Sequence, residues 1–192
     1  MDFADEVYLA ALLDATLWAK QGDELWSVAD LIRPKAAEYW EHEGEEQRAR
    51  QHFLSAFLMM SAFAIENYLK GVLVCEHEAE FRREIRETRQ LPDLLNTHSI
   101  TDLCRAARVT VQPAGEERLL RELSAAATWA ARYPTPARPR EYEKGTFDGQ
   151  EGIVLSLYSS GDIANTAKMV GVLRERLRTQ IGETDADRAT PI

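Results

Sequence analysis

The chain has 192 residues, 45% of them hydrophobic, which is enough to bury a substantial core in one domain. A formal net charge of -9 argues against broad, nonspecific attraction to nucleic-acid phosphates, although a local basic site is compatible with it. The two cysteines are too few for a disulfide scaffold, and the acidic opening Met1–Glu6 does not resemble a secretion signal, so we expect a cytoplasmic protein.

Two helices are predicted before the most apolar stretch. The first runs from about Ala4 to Lys20, with apolar residues on one side, and Gly22 is expected to end it. The second runs from about Asp23 to Trp40, and Pro34, which cannot donate an interior helical hydrogen bond, predicts a kink or a restart. Residues 41–46 then form a charged connection.

The stretch from Glu45 to Glu78 is the segment around which the other helices are expected to pack. Apolar side chains recur along it every three or four residues, the period of one helix face. Residues Gln51–Ile65 carry no acid, lysine or arginine, but a membrane span needs roughly 20 predominantly apolar residues. We therefore predict a buried core helix that does not cross a membrane. Polarity returns on one flank at Glu66, Asn67 and Lys70, which marks a surface or a cleft.

Shorter helices follow the central one. Residues 77–93 are dense in charge and are expected to fray into a solvated loop. Ser99 and Asp102 have the spacing of a capping box, so a helix should begin there and run to about Val109. Another helix is predicted from about Glu116 to Arg132.

A long Pro/Gly-rich loop is predicted before the last helix. Residues 133–152 have no helical period, and loops longer than roughly 12 to 15 residues are usually functional or disordered. Residues 153–158 are compatible with a short extended piece or with the start of a helix.

The last helix is expected to begin near Asp162, which is a candidate cap. Its apolar stripe runs from Ile163 to Ile181 and is opposed by three arginines. We expect residues 1–182 to form a single domain and residues 183–192 to be a disordered tail.

Three pieces of sequence point to a family. They are the E-x-x-x-K of Glu66–Lys70, the T-H-S-I-x-x-L of Thr97–Leu103 and the A-R-Y-P of Ala131–Pro134. In this order they resemble the HEPN superfamily (higher eukaryotes and prokaryotes nucleotide-binding), and the likeness covers about Gln47 to Arg138. The resemblance implies an all-α, up-and-down bundle of about five helices that often forms homodimers. It also implies association with RNA processing, toxin–antitoxin pairs or partner nucleotidyltransferases.

Many catalytic members of the superfamily cut RNA without a metal, through an arginine and a later histidine that are separated by four to six intervening residues. This sequence departs from that pattern, because Arg89 precedes His98 by too many residues and Arg48 precedes His52 by too few. The resemblance therefore implies the fold and an anion or nucleotide site more directly than it implies cleavage. If the catalytic residues have moved, His98 and Arg132 are the candidates.

A ligand site is predicted where the polar flank of the central helix faces the segment after Ala131. Lys70 and Arg132 would hold a phosphate, and Tyr133 would offer a ring for base stacking. His98 is a candidate general acid or base, since imidazole titrates near neutrality. The full set of candidate ligand-binding residues is Glu66, Asn67, Lys70, His98, Arg132, Tyr133 and Arg138.

These residues also have plainer interpretations. Glu66 and Lys70 have the favourable order of an i,i+4 surface pair, which contributes only about 0.2 to 0.5 kcal/mol when exposed. For His98 a packed, hydrogen-bonded structural role is the favoured interpretation, and Arg138 lies in a loop whose glutamates offset its charge.

A zinc site has its ligand types in the sequence but not its geometry. The residues that would suit the ion are Cys75, His77, His98 and Cys104. Cys75 and His77 are two apart on a helix and point to different sides, so we expect no metal and no cofactor.

The preferred function is a non-standard HEPN-like RNA- or nucleotide-binding module of a prokaryotic regulatory, toxin–antitoxin or defence system. Two alternatives stay open: a metal-independent ribonuclease with non-standard catalytic residues, and a purely structural dimeric interaction protein. The expected partners are a second copy of the chain, RNA or a nucleotide, and a nucleotidyltransferase or an antitoxin; no membrane is expected.

Overall fold

A computed structural model describes the backbone of residues 3–109, 113–130, 143–147, 150–154 and 159–189. Within these ranges the protein is all-α, as predicted, apart from one short hairpin. The helices are α1 (Phe3–Leu12), α2 (Ala15–Ala37), α3 (Gly44–Thr88), α4 (Asp93–Asn96), α5 (Ile100–Ala106), α6 (Pro113–Ala125) and α7 (Ser160–Ala189). Seven helices in the described ranges exceed the five or so that the resemblance implies, partly because α4 is a single turn.

Shorter elements join the helices. A 3-10 turn, Glu38–Glu41, follows α2, and a π-helical turn, Ala126–Ala130, continues α6. Strands β1 (Glu143–Phe147) and β2 (Gln150–Val154) form an antiparallel hairpin in which Gly145 pairs with Gly152. The segment predicted as a loop therefore contains a hairpin, and its remaining residues lie outside the described ranges.

The boundary between α1 and α2 lies well before Gly22. Asp14 caps α2, because its Oδ1 accepts hydrogen bonds from the Thr16 backbone nitrogen at 2.9 Å and from Thr16 Oγ1 at 2.6 Å. Gly22 is buried in the middle of α2, where a Cβ atom would lie 2.7 Å from Tyr68 Cε1. The prediction that Gly22 ends a helix is wrong, since this glycine serves the close packing of α2 on α3.

The expected restart at Pro34 does not occur. α2 continues through Pro34 as one helix and ends at Ala37. A proline removes one backbone hydrogen bond, and the tertiary packing of the helix outweighs that loss. Ala29 and Ala36, which are fully buried on either side of Pro34, are part of this packing.

α3 is the core helix that the sequence predicts, and it extends beyond the predicted end. His77 has non-helical backbone angles (φ -130°, ψ 18°), which mark a kink, and the helix continues to Thr88. Phe81 and Ile85 are buried after the kink, so residues predicted to fray are held by apolar contacts. Among the described residues α3 alone is long and apolar enough to span a membrane, but 78% of its most apolar window is buried in the protein.

Contacts between side chains fix the direction of α2 against α3. Tyr68 of α3 bonds to Asp23 near the middle of α2, whereas Arg50 near the start of α3 lies 3.6 Å from Glu38, just after the end of α2. The two helices are therefore antiparallel.

α7 packs on α3 through its predicted apolar stripe. Leu177 would contact any Cβ at Gly71, and Gln180 donates a hydrogen bond to Glu76 at 2.8 Å, so α7 runs in the same direction as α3. The buried members of the stripe are Ile163, Val170, Leu173 and Leu177.

The two ends of α7 differ from the expected arrangement. Asp162 stands inside the first turn, where its Oδ2 accepts from the Ser159 backbone nitrogen at 2.7 Å and its Oδ1 accepts from Arg118 at 2.6 Å. Asp162 thus joins α7 to α6 in addition to supporting the helix start. At the other end, where a disordered tail was expected from residue 183, α7 is continuous to Ala189.

Candidate functional site

Glu66 and Lys70 form an ion pair inside the protein. Lys70 Nζ lies 2.7 Å from Glu66 Oε1. The side chain of Lys70 is only 5% exposed and that of Glu66 only 7%. The interpretation of these residues as a surface pair is therefore wrong. Removing two charges from water is costly, and their attraction offsets the cost only when further hydrogen bonds support the pair.

His98 supplies such a bond from the turn that precedes α5. Ser99 caps α5 as predicted, since its Oγ accepts from the Asp102 backbone nitrogen at 3.3 Å. The turn places His98 Nδ1 3.0 Å from both carboxylate oxygens of Glu66. Because a carboxylate only accepts hydrogen bonds, Nδ1 carries the hydrogen and Nε2 is the ring nitrogen left for a ligand or a proton. The His98 side chain is 55% exposed, so the cluster reaches the surface through it.

Trp18 of α2 contacts the buried ion pair on its lysine side. Its ring centroid lies 5.8 Å from Lys70 Nζ, within the range of a cation–π interaction. The indole nitrogen donates to the Leu12 carbonyl at 2.8 Å, which fixes the ring. Gly71 permits this approach, because a Cβ there would lie 3.2 Å from Trp18 Cβ. In the sequence Trp18 is one of the apolar residues on one side of the first predicted helix, and nothing there signals its contact with a lysine.

The remaining predicted residues divide into two groups. Asn67 does not join the ion pair, since its Nδ2 donates to the Phe63 carbonyl at 2.7 Å. Arg132, Tyr133 and Arg138 lie outside the described residues, so their predicted convergence with Lys70 stays a prediction.

A second polar cluster, which sequence reasoning missed, surrounds Asp23. Its Oδ1 accepts from the Tyr68 hydroxyl at 2.7 Å and lies 2.8 Å from Arg174 Nε, and its Oδ2 accepts from Arg178 at 2.9 Å. Burial acts to raise the pKa of Asp23, but the hydrogen bonds from these three donors together outweigh it and hold the pKa below its usual value. Burial and the adjoining Asp23 raise the pKa of Tyr68 well above its ordinary value.

The Asp23 cluster could not be read from periodicity. Tyr68 belongs to the apolar stripe of α3, and the two arginines belong to the polar face of α7. Their common acid lies on a third helix, far away in the sequence.

A cavity of about 420 Å³ lies between the junction of α1 and α2, the kinked part of α3 and the end of α7. Its polar wall includes Asp14, Cys75 and the ion pair of Glu78 with Arg82, whose atoms are 2.8 Å apart. Asp14 is already engaged as the cap of α2, and Glu78 and Arg82 neutralise each other, so these charges have structural partners.

The described residues hold no group of three or more histidine, cysteine, aspartate or glutamate side chains placed to bind a metal. Cys104 is buried in α5, and burial raises the pKa of its thiol to about 12. A thiol that stays protonated is a poor metal ligand and a poor nucleophile.

We call Glu66, Lys70, His98 and Trp18 the Glu66 cluster. It combines two buried charged side chains with a histidine that is accessible to solvent. An ammonium group and an imidazole flank one carboxylate, and the imidazole alone is open to solvent. Such a set can hold an anion or move a proton. No protein-family model, no curated protein and no solved structure matches this chain.

Proposed function

We propose that this protein is a HEPN-like RNA- or nucleotide-binding module of a prokaryotic regulatory, toxin–antitoxin or defence system. The proposed ligand site includes Glu66, Lys70 and His98. The observation that carries the proposal is the buried ion pair capped by a half-exposed histidine. The proposed fold is an up-and-down HEPN-like bundle, which the antiparallel contacts of α2 and α3 support.

Stability gives little reason to keep such a pair. Replacing a buried ion pair by apolar residues of similar volume is often neutral or stabilising. Burial beside a specific charge partner is, by contrast, an arrangement that functional sites use. The Glu66–Lys70 pair therefore has a better explanation in ligand binding than in packing.

The cluster offers one contact to a phosphate. Lys70 and Glu66 cancel each other's charge, and His98 is the polar group of the cluster that an anion can reach. A hydrogen bond between His98 Nε2 and a phosphate oxygen is the contact that we propose. One local contact of this kind is compatible with a net charge of -9.

The resemblance adds partners to the proposal. A homodimer and a nucleotidyltransferase or antitoxin partner are proposed on that basis. α2 has exposed apolar side chains that suit such a contact, namely Val28 and Leu31, which are 46% and 79% exposed.

A metal-independent ribonuclease is the second candidate, and one observation favours it. Glu66 orients His98 through Nδ1, which leaves Nε2 for proton transfer. Arg132 would supply the cation for the transition state in this alternative.

RNA binding by anisotropy tests the first candidate. A labelled single-stranded RNA should bind with an affinity that falls as salt rises. His98→Ala should weaken binding about tenfold, because it removes one charge-assisted hydrogen bond. His52→Ala is the matched control, since His52 is an exposed histidine of α3 outside the cluster.

The outcomes separate the candidates. Salt-independent or undetectable binding would remove the RNA-binding proposal. Cleavage of the RNA that His98→Ala abolishes, with an unchanged melting temperature, would establish the ribonuclease. A stable dimer that neither binds nor cuts RNA would leave the structural interaction protein.

A further inference from the structure

Trp18 has a second environment besides Lys70. It lines an open groove of about 290 Å³ that α1, α2 and α3 form together. We call this the aromatic groove and define it by Tyr8, Leu12, Leu17, Trp18, Gln21 and Asn67. Its lining is mostly apolar, and Gln21 and Asn67 are the residues with carboxamides among those that line it.

The aromatic groove is open to solvent on its outer side. Tyr8 is 57% exposed and Leu17 is 46% exposed, although both are large apolar side chains. Clustered exposure of this kind marks an interaction site more often than scattered exposure does. The volume is at the small end of ligand pockets, which are about 300 to 1,000 Å³, so the groove suits one flat ring system.

Its chemistry favours a ring with polar edges. Two aromatic side chains offer faces for stacking, and carboxamides pair with the donor and acceptor edges of bases. Asn67 uses one amide hydrogen on the Phe63 carbonyl, and that bond holds its side chain in place.

The aromatic groove adjoins the Glu66 cluster. Trp18 belongs to both, because it lines the groove while its ring lies 5.8 Å from Lys70 Nζ. Asn67 also belongs to the groove and directly follows Glu66 in α3. The aromatic groove and the Glu66 cluster therefore share one side chain, that of Trp18.

We infer that the aromatic groove binds an unpaired nucleobase of the RNA or nucleotide whose phosphate is held at His98. The inference rests on the proposed function and adds the base to the phosphate. The base stacks on Tyr8 and Trp18, and Gln21 and Asn67 contact its edge. Stacking accepts every base, since each has a π-face, so the site recognises single strands with little sequence preference.

Two oligonucleotides of equal length test this inference. One is a labelled single-stranded RNA, and the other is an abasic strand that keeps the phosphates and lacks the bases. Stacking contributes about 1 to 3 kcal/mol per base, so the abasic strand should bind at least about fivefold more weakly. Tyr8→Ala should weaken RNA binding by a similar factor and leave binding of the abasic strand unchanged.

Three further variants make the result specific. Tyr8→Phe keeps the ring and should bind RNA like the wild type. Gln21→Ala should weaken RNA binding by an independent change in the same groove. Val172→Ala removes an exposed apolar side chain of α7 outside the groove and should change neither affinity.

The failures are distinguishable. If the abasic strand binds as tightly as RNA, or Tyr8→Ala has no effect on RNA binding, the aromatic groove is not a base site while the phosphate site stands. If neither strand binds, the proposed function fails and this inference fails with it. If Tyr8→Ala alters sedimentation of the protein and not RNA affinity, the groove is a contact between copies of the chain, and the inference is overturned.

Discussion

Two carboxylates anchor polar clusters beside the same part of α3, and the clusters are built differently. Asp23 receives donors from α3 and α7, so one acid joins three helices. Glu66 is shared by Lys70 on its own helix and by His98 before α5. The Asp23 side chain is 31% exposed, whereas that of Glu66 is 7% exposed.

The difference separates a structural contact from a candidate site. The Asp23 cluster has a structural explanation, because its donors lie on α3 and α7 and so connect α2 to both helices. The Glu66 cluster buries charge more deeply and ends in an accessible imidazole. The arrangement of donors around an acid is therefore more informative about function than the number of charges.

The largest expected effect comes from removing one partner of the buried pair. Lys70→Met should lower the free energy of unfolding by about 3 kcal/mol, because Glu66 is left buried without its cation. The double variant Glu66→Gln with Lys70→Met should recover most of that loss while RNA binding stays weak. Urea unfolding measures both. If the double variant is as unstable as the single variant, the Glu66–Lys70 pair serves to stabilise the fold, as the Asp23 cluster does.

The next effect concerns the Asp23 cluster. Asp23→Ala should lower the free energy of unfolding by about 2 kcal/mol, since it leaves the buried Tyr68 hydroxyl without its acceptor. Tyr68→Phe should cost less, and the two changes should be less than additive, because they remove the same bond. RNA affinity should be unchanged in both variants at temperatures where they are folded. A loss of affinity would show that the two clusters are coupled.

Acid should weaken the Asp23 cluster. The pKa of Asp23 in the folded protein lies below the ordinary value of 3.8, so the unfolded chain binds this proton more readily. The contribution to stability is present above 3.8 and is lost as the pH falls through the folded value. The difference in unfolding free energy between wild type and Asp23→Asn should therefore shrink between pH 7 and pH 3. If this difference in unfolding free energy is constant from pH 7 to pH 3, Asp23 stabilises the protein through packing and not through its charge.

The smallest effect is a difference in thiol reactivity. The pKa of Cys104 is raised to about 12 by burial, while Cys75 is only partly buried. A disulfide reagent at pH 8 should titrate one thiol in the native protein and two in denaturant. Because Cys104 lies on α5, its protection reports that the helix after His98 is firmly packed. Rapid reaction of both thiols would mean that the position of His98 is not fixed.

Local patterns predicted those features that depend on neighbouring residues. The spacing of Glu66 and Lys70 indicated a pair, and the spacing of Ser99 and Asp102 indicated the start of α5, which the structure confirms. The meeting of His98 with Glu66 depends on how α5 packs against α3, and no local spacing encodes that. The same limit explains why the depth of the ion pair was missed.

Statistical preference also misled where tertiary packing decides. Glycine near the end of a polar turn usually signals a helix end, yet Gly22 is interior to α2. Because it has no side chain, the ring of Tyr68 on α3 can pack directly against its backbone. Residues 77–93 were likewise predicted to fray because of their charge, although the buried side chains of Phe81 and Ile85 hold that stretch in the helix.

Gly22 also restricts the alignment of two helices during assembly. Sliding α2 along α3 by one turn in either direction would bring Trp18 or Trp26 to the ring of Tyr68, at a place where even a methyl group does not fit. The observed alignment of α2 and α3 is then favoured over its one-turn neighbours. The hydroxyl of Tyr68 meets Asp23 in this alignment, so shape and charge select the same pairing.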